Sequence, residues 1–309
     1  KFLTNFLRFF TSFLPMSIRL PLKIQLLLMP SHKDLIPIRN VNSDMKYPKV
    51  DVLIPFHPKD IALLIDCLRY ILRNSINPID TVRIVTTPSG VLLAKQNLAA
   101  LERELASRDI RVDIIDEKVF LPSVILDTCN SLGEGSGWLI QQSIKIWNAI
   151  INEKNPTVVI DADTFIIQRI LWIDCQNKSN VFANFHENDV SDYFIQKFPN
   201  ILRSEKDFGY VSHFVLMKPH VVSEFLTKVE QSKKFQESSF KLKEKDIKVR
   251  YASVLSMLLR ECMFNFSEYD FYAKFALKFE PKNTLICKWS NLTLDVNEEV
   301  DDETMKRFI

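Results

Sequence analysis

Two aspartates at the end of an apolar run are the strongest chemical signal in the sequence. Asp161 and Asp163 follow Thr157–Ile160, a β-branched stretch typical of a buried strand. Side chains at positions i and i+2 point to the same side, so both carboxylates can reach one divalent cation. Hard oxygen ligands favour Mg²⁺ or Mn²⁺, which neutralises charge on a diphosphate. The pair therefore predicts a metal site; surface or helix-capping aspartates are the alternative interpretation.

A second polar group precedes that strand, in the segment Gly137-Trp138-Leu139-Ile140-Gln141-Gln142-Ser143-Ile144-Lys145. A glycine loop that opens a helix exposes backbone N–H groups to an anion, and glutamines offer paired donors and acceptors to sugar hydroxyls or phosphate. The same residues also fit a core tryptophan with glutamines on an ordinary helix surface. Taken alone, this segment does not separate the two interpretations.

Two residues in the second half of the chain are candidates for proton transfer or binding. His213 stands among apolar residues, where a hydrogen-bonded core histidine is the alternative. Glu268 follows Ser267, a residue typical of helix N-caps, so its charge is also explained by the helix dipole. The functional interpretation of Glu268 is a general base that deprotonates an acceptor hydroxyl.

An alternation of strands and helices is expected to position these residues. Strands are predicted at 50–55, 81–86, 110–116, 157–160 and 210–217. Helices are predicted at 60–73, 91–107, 139–151, 221–229 and 252–259, and a last helix follows residue 270 and ends at about 277. The pattern predicts an α/β fold with a mainly parallel sheet flanked by helices, and ligands beyond the carboxyl ends of the strands. Pro55, His57 and Asp60 follow the first strand, so we expect them near a nucleobase or ribose in the same crevice.

Composition excludes several classes of protein. The chain has 309 residues and only five glycines, which cannot form the dinucleotide-binding, P-loop or nucleophile-elbow motifs. A net charge of +2 makes a nucleic-acid partner a poor prediction. Five scattered cysteines indicate neither a disulfide framework nor structural zinc, which favours a reducing, cytoplasmic location.

The chain divides into three predicted regions: 1–46, 47–208 and 209–309, the last two being halves of one domain. Residues 1–30 carry four basic and no acidic side chains, and prolines interrupt their apolar pattern, so no membrane span is predicted there. A peripheral segment on the inner face of the cytoplasmic membrane and a helix packed on the protein's own core both fit this pattern.

Four motifs in order give a more specific signal than any one of them. They read Gly137-Trp138…Gln141-Gln142…Lys145, Asp161-Ala162-Asp163-Thr164, Val211-Ser212-His213 and Ser267-Glu268-Tyr269. This set resembles a bacterial family of uncharacterised glycosyltransferase-like proteins with the GT-A fold, over residues 50 to 277. The resemblance implies a metal-dependent transferase that uses a nucleotide-sugar donor and a glycan or glycolipid acceptor, as in the assembly of surface polysaccharide or lipopolysaccharide.

The resemblance also implies roles for individual residues. Asp161 and Asp163 would hold Mn²⁺ or Mg²⁺, and His213 and Glu268 would face the acceptor, with Asp270 as an alternative to Glu268. The donor side would be lined by Asp161 and the residues of the first motif, which are Gly137, Trp138, Gln141, Gln142 and Lys145. Several GT-A families use a late histidine as a further metal ligand, whereas this chain has none after His220.

Two other functions remain open at the level of sequence. A nucleotidyltransferase shares the α/β fold and carboxylate-bound Mg²⁺, but it commonly carries a glycine-rich basic loop after its first strand, where this chain reads Pro55-Phe56-His57-Pro58-Lys59. A non-catalytic scaffold of a polysaccharide-assembly complex is the other alternative.

Overall fold

Strands and helices alternate along the chain in a computed structural model, which describes residues 24–27, 45–183, 192–202, 209–238, 245–288 and 291–294. The strands are β1 (Ile24–Leu27), β2 (Val50–Pro55), β3 (Ile79–Thr86), β4 (Arg111–Asp116), β5 (Thr157–Ile160), β6 (Thr164–Phe165), β7 (Ser179–Ala183), β8 (Phe214–Met217), β9 (Thr284–Lys288) and β10 (Asn291–Leu294). The helices are α1 (Ile61–Asn74), α2 (Pro88–Ser107), α3 (Glu117–Phe120), α4 (Ser123–Ser131), α5 (Ser136–Ile151), α6 (Asp192–Lys197), α7 (Pro219–Glu230), α8 (Lys233–Gln236), α9 (Ile247–Cys262) and α10 (Glu268–Phe279).

The central sheet has five strands in the order β4-β3-β2-β5-β8. Its first four strands are parallel, and β8 pairs antiparallel with β5. Two smaller sheets, β10-β1-β6 and β7-β9, complete the strand pairing of the described residues. The predicted α/β fold with a mainly parallel sheet flanked by helices is thereby confirmed.

Both faces of the central sheet are buried, because helices cover each of them. Val52 and Ile54 of β2 pack in one core with side chains of α1 and α2. Leu53, between them, packs in a second core with side chains of α5, α9 and α10. This alternation explains why β2 is buried along its whole length, including the charged residue Asp51.

The predicted elements agree with the structure at most positions, and β8 shows the clearest difference. The strands expected at 50–55 and 157–160 have the predicted bounds. The strand expected at 210–217 begins only at Phe214, because His213 has a φ of 60° and left-handed backbone cannot continue a strand. The short elements α3, α4, β6, β7 and β9 were not predicted.

Most of the predicted basic segment at 1–30 lies outside the described residues, as do residues 295–309 at the end of the third predicted region. Only the short strand Ile24–Leu27 of that segment is described. Among the described helices, none has both the length and the hydropathy that crossing a bilayer requires.

Asp80, at the start of β3, provides a test of electrostatic stability. Hydrogen-bonded ion pairs with Lys154 and Lys49, at 2.8 and 2.7 Å, lower its pKa from 3.8 to about 2. As the pH falls, Asp80 therefore binds a proton in the unfolded chain before it does so in the folded protein. The stabilisation by the ion pairs is complete above about pH 5 and decreases progressively as the pH falls to about 2. We expect Asp80→Asn to cost about 1 kcal/mol at pH 7.

Chemical denaturation of wild type and Asp80→Asn at pH 7, 4 and 2.5 measures this difference. The gap in the free energy of unfolding should narrow as the pH is lowered. A gap that stays constant with pH would show that the ion pairs do not stabilise the fold.

Candidate functional site

A cavity of about 610 Å³ lies at the carboxyl ends of β2, β3, β4 and β5. Twelve of the thirteen residues predicted for the site line it, and Asp270 is the exception. These twelve are Pro55, His57, Asp60, Gly137, Trp138, Gln141, Gln142, Lys145, Asp161, Asp163, His213 and Glu268. The topology thus brings together five sequence segments that are far apart along the chain.

Strand pairing explains how the first of these segments meet. β2 and β5 are parallel neighbours, so the residues that follow Pro55 and Ile160 leave the sheet at the same edge. His57 caps the short 3₁₀ helix Pro58–Asp60 through its ring, which accepts a hydrogen bond from the Lys59 backbone N–H at 3.3 Å. That turn holds Asp60 at the cavity wall.

Asp161 is the most heavily contacted carboxylate of the cavity. Its Oδ1 lies 2.7 Å from the Lys145 ammonium, and its Oδ2 lies 3.2 Å from Nδ1 of His213. Burial by itself would raise the pKa of Asp161, but the charge of Lys145 and the contact with His213 outweigh it and hold the pKa well below its usual range. Asp161 is therefore ionised at neutral pH.

Asp163 has the opposite electrostatic environment. Burial and the nearby charge of Asp161 raise its pKa to about 6, and within the described part of the chain no ion pair to its carboxylate is found. A cation between the two aspartates would offset their repulsion, so this donor set fits Mg²⁺ or Mn²⁺. The described residues contain no group of three or more His, Cys, Asp or Glu that could hold a metal. Water and substrate oxygens would have to complete its coordination.

Glu268 is buried at the first position of α10, with 1% of its surface exposed. Its Oε1 accepts a hydrogen bond from the Lys145 ammonium at 2.6 Å. The amide orientation of Gln142 that satisfies both neighbours donates to Glu268 and accepts from Trp138 Nε1 at 3.3 Å. A continuous series of polar contacts therefore runs from the partly exposed Trp138, through Gln142 and Glu268, to the buried ammonium of Lys145.

His213 connects these polar contacts to the central sheet, because it contacts Asp161 and directly precedes β8. Its backbone carbonyl accepts the Asp161 N–H at 3.0 Å, while its ring contacts the Asp161 carboxylate and lies 6.4 Å from the Tyr269 ring, centroid to centroid. Its left-handed backbone, with φ of 60°, is costly for a residue with a Cβ. The structure therefore holds His213 in place from both its backbone and its ring.

Asp270 does not line the cavity. Its carboxylate is buried on α10 and lies 3.3 Å from the Lys274 ammonium, one helical turn away. The family resemblance left Glu268 and Asp270 as alternatives for one role. The 200° that separates two such positions on a helix directs only Glu268 into the cavity.

The loop before α5 offers fewer free donors than its glycines suggest. Gly135 has a φ of 88°, which a side chain would strain, and its carbonyl accepts the N–H groups of Trp138 and Leu139 at 3.0 and 3.3 Å. The Ser136 N–H is likewise donated to the Gly133 carbonyl. Trp138 remains 37% exposed at the cavity mouth, where its ring is available to a ligand.

Four polar residues of the cavity were not singled out in the sequence: Lys59, Thr87, Glu117 and Tyr269. Thr87 directly follows β3 and Glu117 directly follows β4. The rule that ligands bind beyond the carboxyl ends of parallel strands could have identified both. Tyr269 belongs to a motif that was noted, and its hydroxyl accepts a hydrogen bond from the Lys145 ammonium at 3.1 Å.

The fold and the cavity define an α/β protein whose polar residues converge at the carboxyl ends of a mainly parallel sheet. Residues 49–307 match a family described as a family of unknown function, DUF6492, and the chain belongs to that family. No protein among the curated sequences matches it.

Solved structures show similarity to the chain at low sequence identity. Core-mannan synthase A from Aspergillus fumigatus, in its Mn/GDP form, has 9% identity, coverage of 88% of this chain and 78% of that chain, and a TM-score of 0.37. The mannosyltransferase Ktr4p from S. cerevisiae has 10% identity, coverage of 82% and 71%, and a TM-score of 0.33. The PaToxG glycosyltransferase has 11% identity, coverage of 70% of each chain and a TM-score of 0.30.

Proposed function

We propose that this protein is a metal-dependent glycosyltransferase that moves a sugar from a nucleotide diphosphate sugar to a hydroxyl of a glycan or glycolipid acceptor. The observation that carries the proposal is the convergence of the aspartate pair with polar and aromatic side chains in one cavity at the strand ends. A diphosphate needs a cation there, because the carboxylates of the cavity would otherwise repel it.

The aspartate pair would hold the cation and face the donor. Bound Mn²⁺ or Mg²⁺ would neutralise the charge that develops on the departing diphosphate. His57 and Asp60 line the cavity beside β2, where the base or ribose would bind, and the partly exposed Trp138 and the side chain of Gln141 contribute a further part of the lining. These side chains would orient the donor and limit the access of water.

The acceptor hydroxyl would be activated by Glu268. In the transfer, the acceptor O–H bond breaks and its proton passes to the Glu268 carboxylate, while the acceptor oxygen bonds to the anomeric carbon. The bond between that carbon and the diphosphate breaks, and its electron pair leaves with the nucleoside diphosphate. Each oxygen of Glu268 has two lone pairs, so its bonds to Lys145 and Gln142 leave acceptor capacity for this hydroxyl.

Thermal unfolding with a panel of nucleotides tests the proposal. Wild type would be scanned with UDP, GDP, CMP and their common sugar conjugates, with and without Mn²⁺. A ligand at 100 times its Kd raises the melting temperature by on the order of 5 °C. We expect one nucleotide to do so only in the presence of Mn²⁺, and Asp163→Ala to abolish that shift.

Asp163 is a better position for this test than Asp161. Asp161 pairs with Lys145 and His213, so its replacement also disturbs the fold. Asp127→Ala on the exposed face of α4 is the matched control and should keep the shift. A shift that survives in Asp163→Ala, or no shift with any nucleotide, would contradict the proposal. Release of pyrophosphate from a nucleoside triphosphate would indicate a nucleotidyltransferase.

A further inference from the structure

The buried ammonium of Lys145 has no hydrogen left for a substrate. It lies 2.7 Å from Asp161 Oδ1, 2.6 Å from Glu268 Oε1 and 3.1 Å from the Tyr269 hydroxyl. A lysine ammonium has three N–H groups, so these three oxygens use all of them. The Lys145 side chain is only 2% exposed. A contact to the donor, which the resemblance implies for Lys145, would require one of these bonds to break.

The three partners of Lys145 come from two other segments of the chain. Lys145 is in the middle of α5, Asp161 follows β5, and Glu268 and Tyr269 begin α10. Glu268 is 123 residues away from Lys145 along the chain. One charged group thus joins the segment that carries the aspartate pair to the segment that carries the candidate base.

The contact with Lys145 fixes how Asp161 presents its oxygens. Lys145 holds Oδ1 and His213 holds Oδ2, so the carboxylate cannot rotate without losing one of these contacts. The Lys145 ammonium is the only full positive charge that the described residues place within ion-pair distance of Asp161 when His213 is neutral.

We propose that Lys145 is a positioning residue, which orients the Asp161 carboxylate for the metal and sets its separation from Glu268 without touching the donor. This inference rests on the proposed function. It assigns to Lys145 a role in the metal dependence of nucleotide binding, and none in the binding of the phosphates themselves.

A double variant separates positioning from charge. Lys145→Met alone leaves two carboxylates at a buried site with no lysine between them, which destabilises the fold. Lys145→Met combined with Glu268→Gln removes one positive and one negative charge, so the net charge of the site is unchanged. The reference is wild type, which has the same net charge at the site and keeps the contact between Lys145 and Asp161. Glu268→Gln alone keeps that contact too and shows the effect of losing the glutamate charge.

The measurement is the Kd of the stabilising nucleotide by calorimetry, with Mn²⁺ and with EDTA. In Lys145→Met/Glu268→Gln we expect the Kd in EDTA to stay within about twofold of wild type, and the Mn²⁺-dependent gain in affinity to fall at least tenfold below that of wild type, about 1.4 kcal/mol. An equal loss with and without Mn²⁺ would indicate a direct phosphate contact and overturn the inference. An unchanged or larger gain would also overturn it.

A second lysine–glutamate pair, outside the cavity, provides the matched control. Lys218, with 2% of its side chain exposed, lies 3.0 Å from Glu280 and does not line the cavity. Lys218→Met combined with Glu280→Gln should lose stability but keep the Mn²⁺-dependent gain of wild type. If the control lost the gain as well, general destabilisation would explain the result and the inference would fail. If wild type itself showed no Mn²⁺-dependent nucleotide binding, the proposed function would fail first.

Discussion

Replacing Glu268 with Gln is expected to lower sugar transfer by about 10²–10⁴-fold, the usual contribution of a general base. The amide cannot take the proton of the acceptor hydroxyl, but it has nearly the same shape. Its oxygen can still accept the hydrogen bond from Lys145, which lies 2.6 Å from Glu268 Oε1. We therefore expect nucleotide affinity in the presence of Mn²⁺ to remain within a few-fold of wild type.

This loss would be measured as the rate at which nucleoside diphosphate is released. The substrate is the sugar conjugate of the nucleotide that stabilises wild type. Asp270→Asn is the matched control, because Asp270 is equally buried on the same helix but pairs with Lys274 away from the cavity. Asp270→Asn should lose stability and keep turnover per folded molecule. The opposite pattern, with turnover lost in Asp270→Asn and kept in Glu268→Gln, would transfer the proposed base role to Asp270.

Replacing Trp172 with Ala is expected to lower the free energy of unfolding by about 3–5 kcal/mol. The Trp172 ring is fully buried and packs edge-on against Phe182 and Phe214, with centroid distances of 6.3 and 5.6 Å. Its indole N–H donates to Ser75 Oγ at 3.1 Å. The variant removes this packing and leaves a cavity beneath β8, the strand that begins directly after His213.

Urea denaturation followed by circular dichroism would measure the change. Trp172→Phe should lose less, because it keeps an aromatic ring in the core and gives up mainly the hydrogen bond to Ser75. Leu92→Ala, at a side chain that is 63% exposed, should remain within about 0.5 kcal/mol of wild type. If Trp172→Ala lowered the free energy of unfolding by less than about 1 kcal/mol, the packing of Trp172 against Phe182 and Phe214 would not be important for the stability of the core.

Local patterns in the sequence determined the class of fold and the location of the site. The short, β-branched and mainly apolar segment 50–55 predicted a buried strand, and the alternation of such strands with helical patterns predicted a parallel sheet. Because parallel strands end at one edge, Asp161, His57 and Gly137 could be expected to meet without any knowledge of the packing. These inferences needed only short-range periodicity and one topological rule.

Tertiary structure alone decided how the charges of the site are paired. No local pattern indicates that the ammonium of Lys145 lies between Asp161 and Glu268, because that contact depends on how α10 packs against α5 across 123 residues of chain. The same packing faces Glu268 into the cavity and Asp270 away from it. A sequence specifies which groups can ionise, but their burial and their partners, which set their pKa and their role, arise only when distant segments pack together.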